Sequence, residues 1–115
     1  MKLTGKEIEI MSVLWDNKVP MAAADIIEAS PNRTWKETSI HVMLKSLQAK
    51  NAVGLDHYIP TAGRAAGAFR ALVSREEYAL LYVLGLGVDL PLLVAAAEEI
   101  KETDGKGKSK RSPKR

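Results

Sequence analysis

Cysteine is absent from this chain of 115 residues, which rules out disulfides and any metal held by thiolates. Histidine occurs only as His41 and His57, and a zinc site needs three or four ligands. The sequence therefore predicts no metal and no cofactor. The first ten residues, MKLTGKEIEI, carry charge throughout and lack an apolar signal core. Export is not expected, and a reducing cytoplasm is the expected location. Residues for catalysis are missing as well. Glu76 with Glu77, and Glu98 with Glu99, are neighbours in sequence, so on a helix they point apart and read as solvated charges. Gly107, Lys108 and Ser109 resemble the end of a phosphate loop, but Glu102 stands where its first glycine belongs and no strand precedes it. No nucleophile with a base presents itself, so an enzyme is not expected.

A hydrophobic fraction of 46% indicates a globular chain, and the length allows one small domain with a single core. Charge is unevenly spread. Residues 33 to 70 hold 6 Lys/Arg against 2 Asp/Glu, whereas residues 71 to 100 hold 1 against 5. A basic middle between acidic flanks is what a phosphate-facing surface would leave.

Thr4 followed by Glu7 forms a capping-box pattern ahead of Ile8, Met11, Leu14 and Trp15 at helical spacing, predicting a first helix from Gly5 to Asp16. A turn through Asn17, Lys18, Val19 and Pro20 leads to MAAADIIEAS, read as a second helix ending before Pro31. A third helix follows, with Thr38 as its cap and Asn51 as the left-handed stop. Val53, Leu55, His57 and Ile59 then alternate with Ala52, Gly54, Asp56 and Tyr58, a strand signature that sets His57 as a packed or half-exposed strand residue. PTAGRAAG, with Pro60, Gly63 and Gly67, reads as a hairpin loop, and Ala68 to Val73 as the returning strand. Ser74 and Glu77 form a second capping-box pattern.

The third helix, WKETSIHVMLKSLQAKN, has two legible faces. Ile40, Leu44 and Leu47, with Met43 beside them, form an apolar stripe that must face a core. Ser39, His41, Val42, Lys45 and Gln48 fall off that stripe. Short hydroxyl, imidazole, methyl and cationic groups suit a major groove, whose base edges offer acceptors, donors and thymine methyls. Three helices followed by a two-stranded hairpin is the order of a winged helix-turn-helix, mostly α with a small β-hairpin.

LTGKEIEIMSVLW, DIIE, WKETSIHVMLKSLQAK and LVSREEY together resemble the penicillinase and methicillin-resistance repressors, the BlaI/MecI family. Leu3, Thr4, Glu7, Ile10, Met11, Leu14 and Trp15 meet the family's first-helix pattern. Trp35, Thr38, Ser39, Ile40, Leu44, Leu47 and Lys50 meet that of its third. The resemblance implies a winged-helix transcriptional repressor that binds double-stranded DNA as a homodimer on a palindromic operator. It implies base contacts from Ser39, His41 and Val42, and backbone contacts from Lys36, Thr38, Lys45, Lys50, Arg64 and Arg70. Val42 stands where relatives often carry Thr, His41 replaces a longer cation, Ser46 replaces Arg and Asn51 replaces Gly. The family's β-lactam-responsive members are cut at an Asn-Phe bond, but the one phenylalanine here, Phe69, follows Ala68. Its copper-responsive relatives use a C-terminal cysteine cluster, which this chain lacks. Neither route supplies an inducer.

Residues 79 to 97, ALLYVLGLGVDLPLLVAAA, are apolar on every face, interrupted by Gly85, Gly87, Asp89 and Pro91. Pro91 suits the first turn of a helix, so two helices are expected, Arg75 to about Leu86 and about Leu90 to Glu102. A helix apolar all round must be covered, and a second copy is the simplest cover. That dimer would bury Leu80, Leu81, Leu84, Leu92, Leu93 and Val94. A membrane span is the rival: its leucines gain about 3 to 4 kcal/mol, while a central Asp costs roughly 2.5 to 3.5 kcal/mol before Pro and Gly are counted.

The expected organisation is therefore a winged-helix DNA-binding domain over 1–74, a helical dimerisation region over 75–103 and a disordered basic tail over 104–115. With about half of the six cations of residues 33 to 70 on phosphates in each protomer, a dimer would show a log-log salt slope of about −5. Two other readings use the same sequence: a winged helix that contacts only proteins, and a small membrane-associated protein.

Overall fold

The computed structural model describes residues 1–107, with side chains through 101. Helix α1 spans Gly5–Asn17. It starts where the sequence predicts: the Glu7 N–H donates to Thr4 Oγ1 at 3.1 Å, and the Thr4 N–H donates to Glu7 Oε1 at 2.8 Å. Two of the donors that a helix start leaves without partners are thereby satisfied. The helix ends on Lys18, which adopts φ 57 and returns its N–H to the Leu14 carbonyl.

The next segment departs from expectation. Met21 and Ala22 do not open the second helix but form a short strand, β1 (Met21–Ala22), and α2 covers only Ala23–Glu28. An alanine-rich run has high helix propensity, but these two residues find a ladder on a distant strand, and tertiary pairing overrides the local preference.

A helical turn of the 3-10 type, Glu37–Ser39, runs into α3, Ile40–Ala49. Thr38 is thus not the cap of α3. It lies inside the tightened turn, and no side chain caps either element. The stop is as expected, with Asn51 in the left-handed region at φ 60, where asparagine is better tolerated than most residues.

Strands β2 (Val53–Pro60) and β3 (Ala65–Ala71) pair antiparallel, and β1 adds to the free side of β3, giving the order β1-β3-β2. Pro60 and Gly67, expected in the hairpin loop, lie in the strands, opposite Ala65 and Tyr58 respectively. Pro60 ends its strand, where a missing N–H is tolerated. A Cβ on Gly67 would come within 2.9 Å of Leu55 Cδ1, so the glycine leaves room for that leucine across the sheet. The single face expected for Val53, Leu55, His57 and Ile59 is also broken. Leu55 pairs with Phe69 but His57 with Ala68, leaving Asp56 as an extra residue. A bulge of one residue reverses the alternation beyond it, so His57 and Ile59 lie on the face opposite Val53 and Leu55. His57 is exposed.

Met1–Leu80 forms one compact unit, and a second begins at Leu81, inside α4 (Arg75–Gly85). The core of the first unit includes Ile10, Met11, Ile26, Leu44, Leu47 and Val53, the largest fully buried side chains. The Ser74–Glu77 box closes as predicted, with bonds of 2.8 and 3.0 Å. Tyr78 is buried in the same core, and its hydroxyl accepts from the Leu3 N–H at 3.4 Å.

In the second unit Gly87 takes φ 78 after α4, and α5 spans Leu90–Gly107. Asp89 accepts from the Leu92 N–H at 3.1 Å, so Pro91 occupies the first turn, where a proline is harmless. No described helix is long and apolar enough to cross a membrane. Helix α5 carries past Glu102 into what was expected to be the tail, because a helix once nucleated gains a bond with each added residue. The rest of that tail, 108–115, lies outside the described residues.

Candidate nucleic-acid interface

Helix α3 buries Ile40, Leu44 and Leu47, with Met43 half-buried beside them. Its other side is uncovered: His41, Lys45 and Gln48 are exposed, and Val42 retains 72% of its surface. Ser39 is half-buried, at the end of the 3-10 turn.

The entry to this helix is held by Arg33. Its guanidinium donates to the Ser30 and Ile27 carbonyls at 3.0 and 3.4 Å, capping the C-terminal end of α2, and to Glu37 Oε2 at 2.9 Å. It also lies 5.5 Å from the centre of the Trp35 ring. One planar fork thus joins the end of α2 to the turn that begins α3. Glu9 of α1 adds a second brace, accepting from the Thr34 N–H at 3.1 Å and from the Thr34 hydroxyl at 2.5 Å. These two bonds hold the Glu9 carboxyl below its ordinary range, against a small opposing effect of burial.

The far end of α3 is held from α1. Glu7 is 4% exposed, and its carboxylate accepts from Lys50 Nζ at 2.6 Å and from Ser46 Oγ at 2.7 Å. Burial alone would raise this carboxyl's pKa. The bonds from Lys50, Ser46 and Thr4, with the charge of Lys50, outweigh it and leave the group below its ordinary value.

The six cations of the basic middle therefore divide into two sets. Arg33 is tied to Glu37, Lys50 to Glu7, and Arg70 to Asp56 at 3.5 Å. Lys36, Lys45 and Arg64 are exposed, and among the described residues their side chains have no partner. Arg64 sits at the turn of the β2–β3 hairpin, where Thr61 bonds to its carbonyl. A cleft of about 440 Å³ opens between that hairpin and the helices, lined by His41 of α3, Thr61, Arg64 and Phe69 of the hairpin and Ala22–Ala24. Helix α3 and the hairpin thus present His41 and Arg64 to one concavity.

Residues 3–83 match the penicillinase repressor family. The chain belongs to that family. Its members are DNA-binding transcriptional repressors rather than enzymes, and the resemblance drawn from the helix patterns holds. A solved structure of a PadR family transcription regulator from Clostridium difficile superposes with a TM-score of 0.50 at 16% identity, covering 84% of this chain and 98% of that one. At that identity the likeness concerns the fold, a winged helix. Among curated proteins none matches this chain.

Of the residues named from sequence, Lys36, Thr38, His41, Val42 and Lys45 fall on or just before the uncovered side of α3, and Arg64 on the hairpin. Lys50 does not join them: its ammonium is turned to a buried carboxylate. Arg70 is exposed but shares Asp56 with His57. Sequence reasoning missed Arg33 and Glu7 as the residues that hold the two ends of α3. Glu7 was legible as a cap, but its second attachment depends on where α3 packs.

Proposed function

We propose that this family member is a sequence-specific repressor that binds a palindromic operator as a homodimer, reading bases with Ser39, His41 and Val42. One observation carries the reading: among the described residues nothing covers the side of α3 opposite the core, and that side exposes an apolar residue, Val42. Val42 is exposed on the side of α3 that also carries His41 and Lys45 and is not part of the core, whereas its methyls complement a thymine methyl in a major groove.

Lys36, Lys45 and Arg64 are the backbone contacts that geometry supports best, with Thr38 beside them. Each is an unpaired cation on the side that would meet phosphate. Lys50 takes no part. Three phosphates per protomer, doubled by a twofold axis, correspond to a salt slope of about −5.

The dimer reading rests on α4 and α5. Leu80, Leu81 and Leu84 on the first, and Leu92, Leu93 and Val94 on the second, are all exposed in the single chain. Exposed leucine at this density calls for a partner surface, and a second copy carries the same need and supplies the twofold axis of a palindrome.

Selection of bound fragments from a random duplex pool tests it. An inverted repeat among the recovered sequences is the expected result; a chain that retains no duplex in dilute buffer would overturn it.

A further inference from the structure

The three groups that meet at Glu7 join two jobs in one carboxylate. Oε1 completes the N-terminal box of α1 and receives Lys50, while Oε2 receives Ser46. A cap needs neither of the last two bonds, and Glu77, which closes the capping box of α4, faces water. Burying a carboxylate carries a large desolvation penalty, which the bonds from Lys50, Ser46 and Thr4 together outweigh, yet a solvent-facing cap would start α1 without incurring it, so capping does not account for the arrangement. Its geometry does. Val42, Ser46 and Lys50 follow one another at intervals of four and so form a single strip along α3. The first member of that strip is open to solvent, and the next two are bound from α1 by the same group. Helix α3 cannot roll about its axis or slide along α1 without breaking both bonds.

We infer that Glu7 is a positioning residue for DNA reading: by holding Ser46 and Lys50 it sets the angle at which Val42 and His41 meet base edges, and it withdraws Lys50 from the phosphates. The inference rests on the proposed entry of α3 into a groove. A site held by its support to within about 0.5 Å reads well, and one left to chance does not. Loss of the support should therefore cost discrimination more than affinity for DNA in general.

The test uses the full chain, a duplex recovered from the random pool and an unrelated duplex of equal length. Both are titrated over a range of salt, at a temperature where circular dichroism shows each variant folded. Glu7→Gln is expected to lower the ratio of specific to nonspecific affinity about ten-fold. Mere loss of stability would scale both affinities together and leave that ratio alone. Lys50→Met is expected to keep the wild-type salt slope, whereas Lys45→Met should flatten it by about 2 per dimer. Should Glu7→Gln fail to fold, Ser46→Ala removes one bond from the same carboxylate and should still lower the ratio, by about three-fold. A ratio within two-fold of wild type in the folded variant, or a Lys50→Met slope flattened as much as that of Lys45→Met, overturns the inference about Glu7. A wild-type chain that binds neither duplex overturns the DNA reading itself.

Discussion

The Trp15 indole N–H donates to the Val73 carbonyl at 2.8 Å. The bond ties the last turns of α1 to the chain just after β3, fixing how the hairpin leaves the helical core. Tyr78 lies beside the same indole, with ring centres 6.2 Å apart. Trp15→Phe keeps most of the packing but leaves a part-buried carbonyl without its donor, a loss of about 1 to 2 kcal/mol. Urea unfolding should show a lower midpoint with an unchanged slope. An unchanged midpoint would mean that water replaces the indole at no cost.

Lys36, Lys45 and Arg64 should act as general DNA contacts. Each change to Ala is expected to weaken binding to every sequence and to flatten the salt slope by about 2 per dimer. Fluorescence anisotropy at several salt concentrations measures this. Full retention of duplex affinity and of the salt slope in the triple variant would place the phosphate contacts elsewhere on the protein.

Changes at Ser39, His41 and Val42 should alter preference rather than overall strength. For Val42→Ala, the expectation is relaxed selection at one thymine position, by roughly 1 kcal/mol or about five-fold, with nonspecific binding unaffected. Repeating the selection with each variant reports it. Identical recovered motifs for all three would remove these residues from the reading surface.

Acid should weaken the fold through Glu7 and Glu9, both held below their ordinary value of 4.5. A carboxyl whose pKa is lower in the folded than in the unfolded chain contributes stability above the unfolded value. That contribution is lost as pH falls through the folded one. Between neutral pH and about pH 5 the Tm should be nearly flat with respect to these two groups, and it should fall below about pH 4.5. Glu7→Gln should lose less Tm over that acid interval than wild type, Glu9 supplying the remainder. Parallel curves for the two proteins would contradict the assignment.

Leu84→Glu places a charge on the exposed apolar side of α4. Sedimentation should show a monomer where wild type is a dimer, operator affinity should drop by at least ten-fold, and the far-ultraviolet spectrum should stay unchanged. A variant that remains dimeric would move the interface elsewhere.

Much of the site was legible because helices announce their faces. The apolar stripe Ile40, Leu44, Leu47 is the buried side observed, and its complement His41, Val42, Lys45 is the exposed one. A period of 3.6 is local, so no knowledge of the partner was needed. Both capping boxes form, and Asn51 takes the left-handed turn, for the same reason.

What depended on distant partners was not legible. Met21 and Ala22 become a strand only because Phe69 and Ala68 offer them a ladder. Asp56 is squeezed out of register by a pairing whose other half lies beyond the hairpin, and the strand's alternation gives no sign of it. Among the cations, sequence could count six between residues 33 and 70 but could not divide them. Lys50 and Lys45 look alike along the chain, yet one is bound to a buried glutamate 43 residues away and the other is open to solvent. Local periodicity and capping chemistry determined which face of α3 would be exposed; tertiary contacts, Glu7 of α1 on Lys50 and Asp56 of β2 on Arg70, decided which charges remained free to use it, because an ion pair depends on what the fold brings together.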